Sequence, residues 1–181
     1  MSKENLELWE SVEVTDQKFA KKFKRAGGFS GTSIDPMYQI KRATAVFGPM
    51  GDRWGLDIVK EQIVDIDDVQ KLHYVQIDFW YYNSDDKKCH FHQFGQTMMV
   101  ARSSSGPRVI EEAPKMSLTD ALTKSLSWLG FSSDVWFGRF DGNKYWNDTE
   151  DPSQPPSRRS DQEHKDRPRY VSWLLQGERY R

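Results

Sequence analysis

A chain of 181 residues with a formal charge of −1 is long enough for one domain with a full core and tails to spare. Its one cysteine, Cys89, excludes an intramolecular disulfide and a cysteine-built zinc site. The opening MSKENLELWE lacks the apolar run of a signal peptide and no stretch approaches a membrane span, so a soluble, cytoplasmic protein with no membrane partner is expected.

Charge is distributed unevenly. Between Lys18 and Arg53 stand Lys18, Lys21, Lys22, Lys24, Arg25, Lys41, Arg42 and Arg53, against only Asp35 and Asp52. From Trp54 to Gln70 the sign reverses, with Asp57, Glu61, Asp65, Asp67 and Asp68 against Lys60. Such a polar distribution favours one basic surface for an anion, and it also suits head-to-tail contacts between subunits. Aromatic residues make up 13% of a chain that is 29% charged, so the ordered part should be sheet-rich or expose rings for binding.

In chain order, residues 1–17 read as an N-terminal arm anchored by Leu6, Leu8, Trp9 and Val12. Asp16–Ala26 predicts a short helix with Phe19 and Phe23 one turn apart; Gly27-Gly28 stops it, and GGFSGTS follows as a flexible loop. Asp35–Phe47 predicts a second helix, with Asp35 as its cap, Pro36 in its first turn and Gly48-Pro49 as its stop. Met37, Ile40, Ala43, Thr44 and Phe47 share one face of it, expected in the core, while Tyr38, Lys41 and Arg42 lie on or near the other. A basic and aromatic outer face suits phosphates and unstacked bases.

Trp54–Ile66 is β-rich and Asp67-Asp68 marks a turn. Leu72–Asn83 alternates cleanly, with Val75, Ile77, Phe79 and Tyr81 on one face and Tyr74, Gln76, Asp78, Trp80 and Tyr82 on the other. A turn at Ser84-Asp85-Asp86 returns the chain as a third strand over Lys88–Ala101, which predicts a three-stranded antiparallel meander. After a loop over Ser103–Pro107, Ser117 opens a helix with Asp120 at the capping-box position. Its expected buried stripe is Leu118, Ala121, Leu122, Ser125 and Leu129, with Lys124 and Trp128 toward the outside and Gly130 at its end. Asp134–Phe140 is a further short element. From Asp141 the chain turns polar and proline-rich, so 18–146 is the core domain and 147–181 a disordered-like tail with a terminal apolar motif, Tyr170–Leu175.

The chain carries no nucleophile motif, Walker A loop or dinucleotide fingerprint, and nothing in it calls for a cofactor. Gly48-Pro49-Met50-Gly51 has the spacing of a KH clamp but leads into a strand instead of joining two helices. His90 and His92 alternate on one strand and His73 lies on the strand before, so a histidine-based metal enzyme is one alternative; a transition metal wants three or four supported ligands. The aromatic strand Phe79–Tyr82 is a second alternative, as a stacking platform for RNA or a surface for another protein. Phe79 and Tyr81 belong to the core face, and Trp80 and Tyr82 stay open.

The order of elements is more distinctive than any one motif. RAGG (Arg25–Gly28), a helix running from Ile40 to Val46-Phe47-Gly48, Trp54, the meander, and Thr119-Asp120-Ala121-Leu122 through Lys124 to Gly130 follow one another. Over roughly Lys18–Gly138 this resembles the single-strand annealing proteins of the Rad fifty-two superfamily, including the phage recombination proteins of the Sak type. The resemblance implies an α+β domain with a β-β-β-α core, packed into an oligomeric ring in the host cytoplasm. A basic groove on that ring would hold single-stranded DNA by its backbone, bases outward, and anneal complementary strands without ATP. That is not an enzymatic reaction, and it needs no catalytic residue or metal. The family's binding positions carry over onto Arg25, with Lys24 beside it, and onto Lys124. Thr123 and Ser127 stand where the eukaryotic pattern has further basic residues, so either the groove binds more weakly or Lys41, Arg42 and Arg53 compensate; Tyr38, on the same helix as Lys41 and Arg42, is a further candidate DNA contact. A recombination exonuclease or single-strand-binding protein, met through the C-terminal tail, is the further partner this family suggests.

Overall fold

The computed structural model describes residues 3–24 and 30–140. The expectations for residues 25–29 and for everything from Asp141 onward lie outside them, while Ser30–Ser33, expected in the flexible loop, are strand. A 3-10 turn, Lys3–Leu6, runs into α1 (Glu7–Val12), and a second turn, Gln17–Phe19, leads to strands β1 (Ala20–Lys24) and β2 (Ser30–Ile34). Then follow α2 (Pro36–Phe47), strands β3 (Trp54–Asp65), β4 (Lys71–Tyr82), β5 (Lys88–Ser103) and β6 (Gly106–Val109), and helices α3 (Ala113–Trp128) and α4 (Ser133–Trp136). This is an α+β fold. No helix among the described residues is long and apolar enough to cross a membrane.

Two local signals act as read. The Asp35 carboxylate accepts the Met37 N–H at 2.8 Å, Pro36 occupies the first turn, and Gly48 closes α2 at φ +104°. The meander forms in sequence order, antiparallel throughout, but with four strands: Val100–Ser103 of β5 pairs with β6. The segment Ser103–Pro107, expected as a loop, is instead a two-residue turn flanked by these strands. Asp67 builds the β3–β4 turn by accepting the Val69 and Gln70 N–H groups at 2.8 and 2.7 Å. Asn83 does the same for Asp85 and Lys87 at the β4–β5 turn.

The helix expected over Asp16–Ala26 is a strand after one 3-10 turn, paired in register from Ala20↔Ile34 to Lys24↔Ser30. Two phenylalanines at helical spacing are too few to fix a period, and β-branched Thr32 and Ile34 supply a strand partner the local window cannot see. α2 is also rotated from its expected face. Gln39, Ala43 and Phe47 are buried, whereas Met37 is 67% exposed and Thr44 faces outward.

The core lies between the β4–β5 face and the helices. Val75, Ile77 and Phe79 of β4 meet Ala121, Leu122 and Leu126 of α3, Ala43 and Phe47 of α2, and Trp54. Burial, and then neighbouring Cys89, pushes the Tyr81 hydroxyl pKa above its ordinary value beside the Phe47 ring. α3 begins at Ala113, not Ser117; Ser117 is a buried helix-interior residue whose hydroxyl donates to the Ala113 carbonyl at 2.9 Å. Leu126, absent from the expected stripe, is fully buried, and Leu118 and Leu129 pack at its margin.

α3 lies so close to β5 that a Cβ at Gly95 would stand 2.0 Å from the Ser117 carbonyl oxygen and 2.6 Å from the Ala121 nitrogen. The N-terminal arm closes the other end. Val12 is fully buried, its carbonyl accepts the Ser132 N–H at 3.1 Å, and Thr15 is held by both carboxylate oxygens of Asp134.

Gly95→Ala should therefore lower stability by about 1–3 kcal/mol or more through displacement of α3, seen as an earlier urea midpoint. Asp67 gives a pH test. Its carboxyl pKa lies below the usual range because of the Gln70 and Val69 N–H groups, then Arg102. The stability it adds is present above the unfolded pKa and is lost as pH falls through the lower folded value. Asp67→Asn should thus cost stability at neutral pH, and its difference from the parent should close in acid.

Candidate nucleic-acid interface

The basic excess of the N-terminal third resolves into three settings. Lys18, Lys21, Lys22 and Lys24 are exposed on or beside the β1–β2 hairpin, and none forms an ion pair among the described residues. Strand alternation puts Lys22 and Lys24 on one hairpin face, opposite Thr32 and Ser30. The hairpin base is fixed to α2: the Phe19 carbonyl accepts the Asp35 N–H at 2.8 Å, and the Phe19 and Tyr38 rings stack at 4.5 Å. Lys41, one turn along α2, is exposed and likewise has no ion pair among the described residues.

Tyr38 and Arg42 come together as the spacing suggests, but they face the N-terminal arm. Arg42 donates to the Val14 carbonyl at 2.5 Å and the Ser11 carbonyl at 2.9 Å, and its guanidinium lies 5.9 Å from the Tyr38 ring centroid. The Tyr38 hydroxyl accepts the Asp16 N–H at 3.1 Å. Arg42 thus supplies donors to carbonyls at the end of α1 that have no helical partner. Arg53 has a third setting, at the β4–β5 turn, paired with Asp86 at 2.6 Å and lying over the Tyr82 ring at 4.8 Å.

Lys124 sits on α3 beside β5. Its ammonium meets Asp120 at 2.9 Å, and the same carboxylate oxygen accepts the Gln96 N–H of β5 at 3.2 Å. Next to it is a cavity of about 550 Å³ walled by Gln93, Phe94, Trp128 and Trp136. Lys124 and Trp128 were legible as the outer side of a helix. Gln93, Phe94 and Trp136 were not, because only the approach of α3 to β5 brings them together. The one available signal was Gly95, since a glycine inside a strand often marks close backbone approach.

The histidines do not converge. His73 is buried on the α3 side of the sheet, 2.9 Å from Glu61, while His90 and His92 lie on the other face, 3.1 and 3.8 Å from Asp78. Among the described residues no group of three histidine, cysteine or acidic side chains is arranged to hold a metal ion. Trp80 and Tyr82 share that outer face, with Lys88 4.6 Å over the Trp80 ring.

Arg42→Ala should cost about 1 kcal/mol through its two charge-assisted bonds to the exposed Ser11 and Val14 carbonyls, while Lys41→Ala should stay within about 0.5 kcal/mol of the parent. Equal denaturation midpoints for the two variants would remove Arg42 from its structural role.

In comparisons with known proteins, no protein-family model matches the chain, and no curated protein matches it significantly.

Proposed function

We propose that the domain binds single-stranded DNA and anneals complementary strands without ATP, as a recombination protein that assembles with copies of itself. The observation that carries this reading is the set of exposed lysines on the β1–β2 hairpin and on α2, left without acidic partners among the described residues and joined through the Phe19–Tyr38 stack. An excess of solvated cations on one secondary-structure unit is suited to phosphates, whose neutralisation releases counterions. The ordered set of sequence elements that resembles the annealing proteins supports it, as does the α+β fold of sheet and long helix. Contacts to phosphate carry no base information, so sequence preference is weak. Each chain offers few cations, and a ring of copies multiplies them along one strand.

The setting of each base decides which variants test this cleanly. Arg42 is engaged with the arm and Arg53 with Asp86, so Lys22, Lys24 and Lys41 are the informative positions. Lys22→Glu with Lys41→Glu should leave the fold intact and weaken binding of unrelated single strands by the same factor. The log–log salt slope should fall by roughly one unit per lost phosphate contact. Changes at Lys87, in the β4–β5 turn, serve as the control and should matter less. If the parent protein fails to accelerate strand pairing above the protein-free rate at any salt concentration, the annealing reading is wrong. A preference for RNA over DNA of the same sequence would move it to an RNA-binding module.

A further inference from the structure

Two strand systems of the domain are left incomplete, in complementary ways. The four-stranded sheet has two outer edges. β6 is four residues long and contains Pro107, which cannot donate to a further strand, so that edge is blunted. β3 is twelve residues long, holds no proline and pairs with β4 alone among the described residues. A bulge between Ile58 and Lys60 shifts its register, but from Lys60↔Gln76 to Asp65↔Lys71 it runs regularly. Its side chains are uncovered too. Ile58 and Ile63 lie opposite Ile77 and His73 on the core face of the sheet, yet Ile77 and His73 are buried while Ile58 and Ile63 are 53% and 54% exposed. The apolar face thus runs out past the helices to an open edge. A long, exposed edge of this kind is a template for a strand of another chain.

The β1–β2 hairpin has the opposite need. Its two five-residue strands pair only with each other, and a two-stranded sheet is marginal in water until a third strand joins it. Charge matches the hairpin to the β3 edge. On β3 and its turn stand Asp57, Glu61, Asp65, Asp67 and Asp68. Set against Lys60 and the ion-pair partners Lys71 and Arg102, these five acids and three bases leave a net charge of −2. β1 carries Lys21, Lys22 and Lys24 and no acid. Two acidic β3 edges repel each other, whereas edge and hairpin attract. Within one chain they do not pair, since β1 is joined to β2 and β3 to β4.

We propose that β1 of one protomer adds to the open β3 edge of the next, continuing the sheet across a head-to-tail interface between copies of this chain. This rests on the self-assembly in the reading above and gives it a surface. Lys21 lies on the opposite face of β1 from Lys22 and Lys24. With Lys21 on the core face, beside Glu61 and Ile63, Lys22 and Lys24 stay on the outer face, where a phosphate can reach them. Hairpin and edge are different patches, so each copy offers one of each. The contact then repeats until a ring closes or a filament grows.

The test is the assembly size of the full chain without DNA, measured by sedimentation across a dilution series. An edge variant, Ile58→Lys with Ile63→Lys, meets the lysines of β1 with like charge. A hairpin variant, Lys21→Glu with Lys22→Glu, meets the acids of β3 in the same way. The parent should form species larger than a dimer, and each variant should need at least about ten-fold more protein to associate. Mixed together, the two variants should form a dimer and nothing larger, because one keeps a working hairpin and the other a working edge. Circular dichroism and urea midpoints confirm that each is folded, and Ile63→Lys alone replaces the edge variant if the pair is not. A hairpin variant that assembles like the parent, or a folded mixture that stays monomeric, would overturn the interface. So would a parent that is monomeric throughout; if that monomer still accelerates strand pairing, annealing stands without this interface. A parent that assembles by this rule but never accelerates pairing keeps the interface and ends the annealing reading.

Discussion

The backbone contact between Gly95 and α3 sets the spacing on which the rest of the domain depends. Facing the strand, the helix presents Ala113, Ser117, Ala121 and Ser125, a row of small residues spaced one turn apart and all fully buried. The two serines are accommodated because each hydroxyl donates to the carbonyl four residues earlier, so no polar group is left over in the contact. With nothing longer than a serine in that row, the helix sinks onto the sheet. Its larger residues are thereby driven to the flanks, Leu122 and Leu126 into the core and Trp128 out against Phe91. Core and cavity are two sides of one close approach.

What could be read from the sequence follows from how local each determinant is. The alternation of β4, the Asp35–Pro36 start and Gly48 stop of α2, and the turns at Asp67-Asp68 and Ser84–Asp86 are decided within a few residues, and they appear where expected, although it is Asn83, expected in the strand, that bonds the second turn. The β1–β2 hairpin is decided by a partner strand across a glycine-rich connection, and β6 by only four residues that borrow their order from β5. Ser117 resembles a cap and so suggests a shorter α3, whereas Pro114 in the first turn marks where the helix starts. The rotation of α2 has a similar origin. Phe19 and the arm occupy the side of the helix where Tyr38 and Arg42 point, which turns Gln39 inward and Met37 out.

The candidate site shows the same division. That lysines crowd the N-terminal third is plain from composition, but which of them are free is a tertiary property. Arg42 and Arg53 look the same in sequence as Lys22 and Lys41, yet both arginines are bound to acceptors within the chain, and the lysines are not. The difference is consistent with side-chain chemistry. A planar guanidinium with five donors fits two carbonyls or a carboxylate and a ring, while a hydrated ammonium on a flexible stem is better kept in solvent.

The closure of the fold by its own arm has a bearing on how the chain comes to be folded. Thr15 is tied to Asp134 across a sequence separation of 119 residues, and Val12 fills the core from the same segment. During translation the arm therefore emerges long before its partner exists, with a delay on the order of ten seconds at ordinary rates of synthesis. Through that interval Val12 lacks its Ser132 and α3 neighbours, and the meander, once made, has only α2 to cover its core face. The last turn to be made locks the first, so the domain completes in one late step instead of accumulating from its beginning.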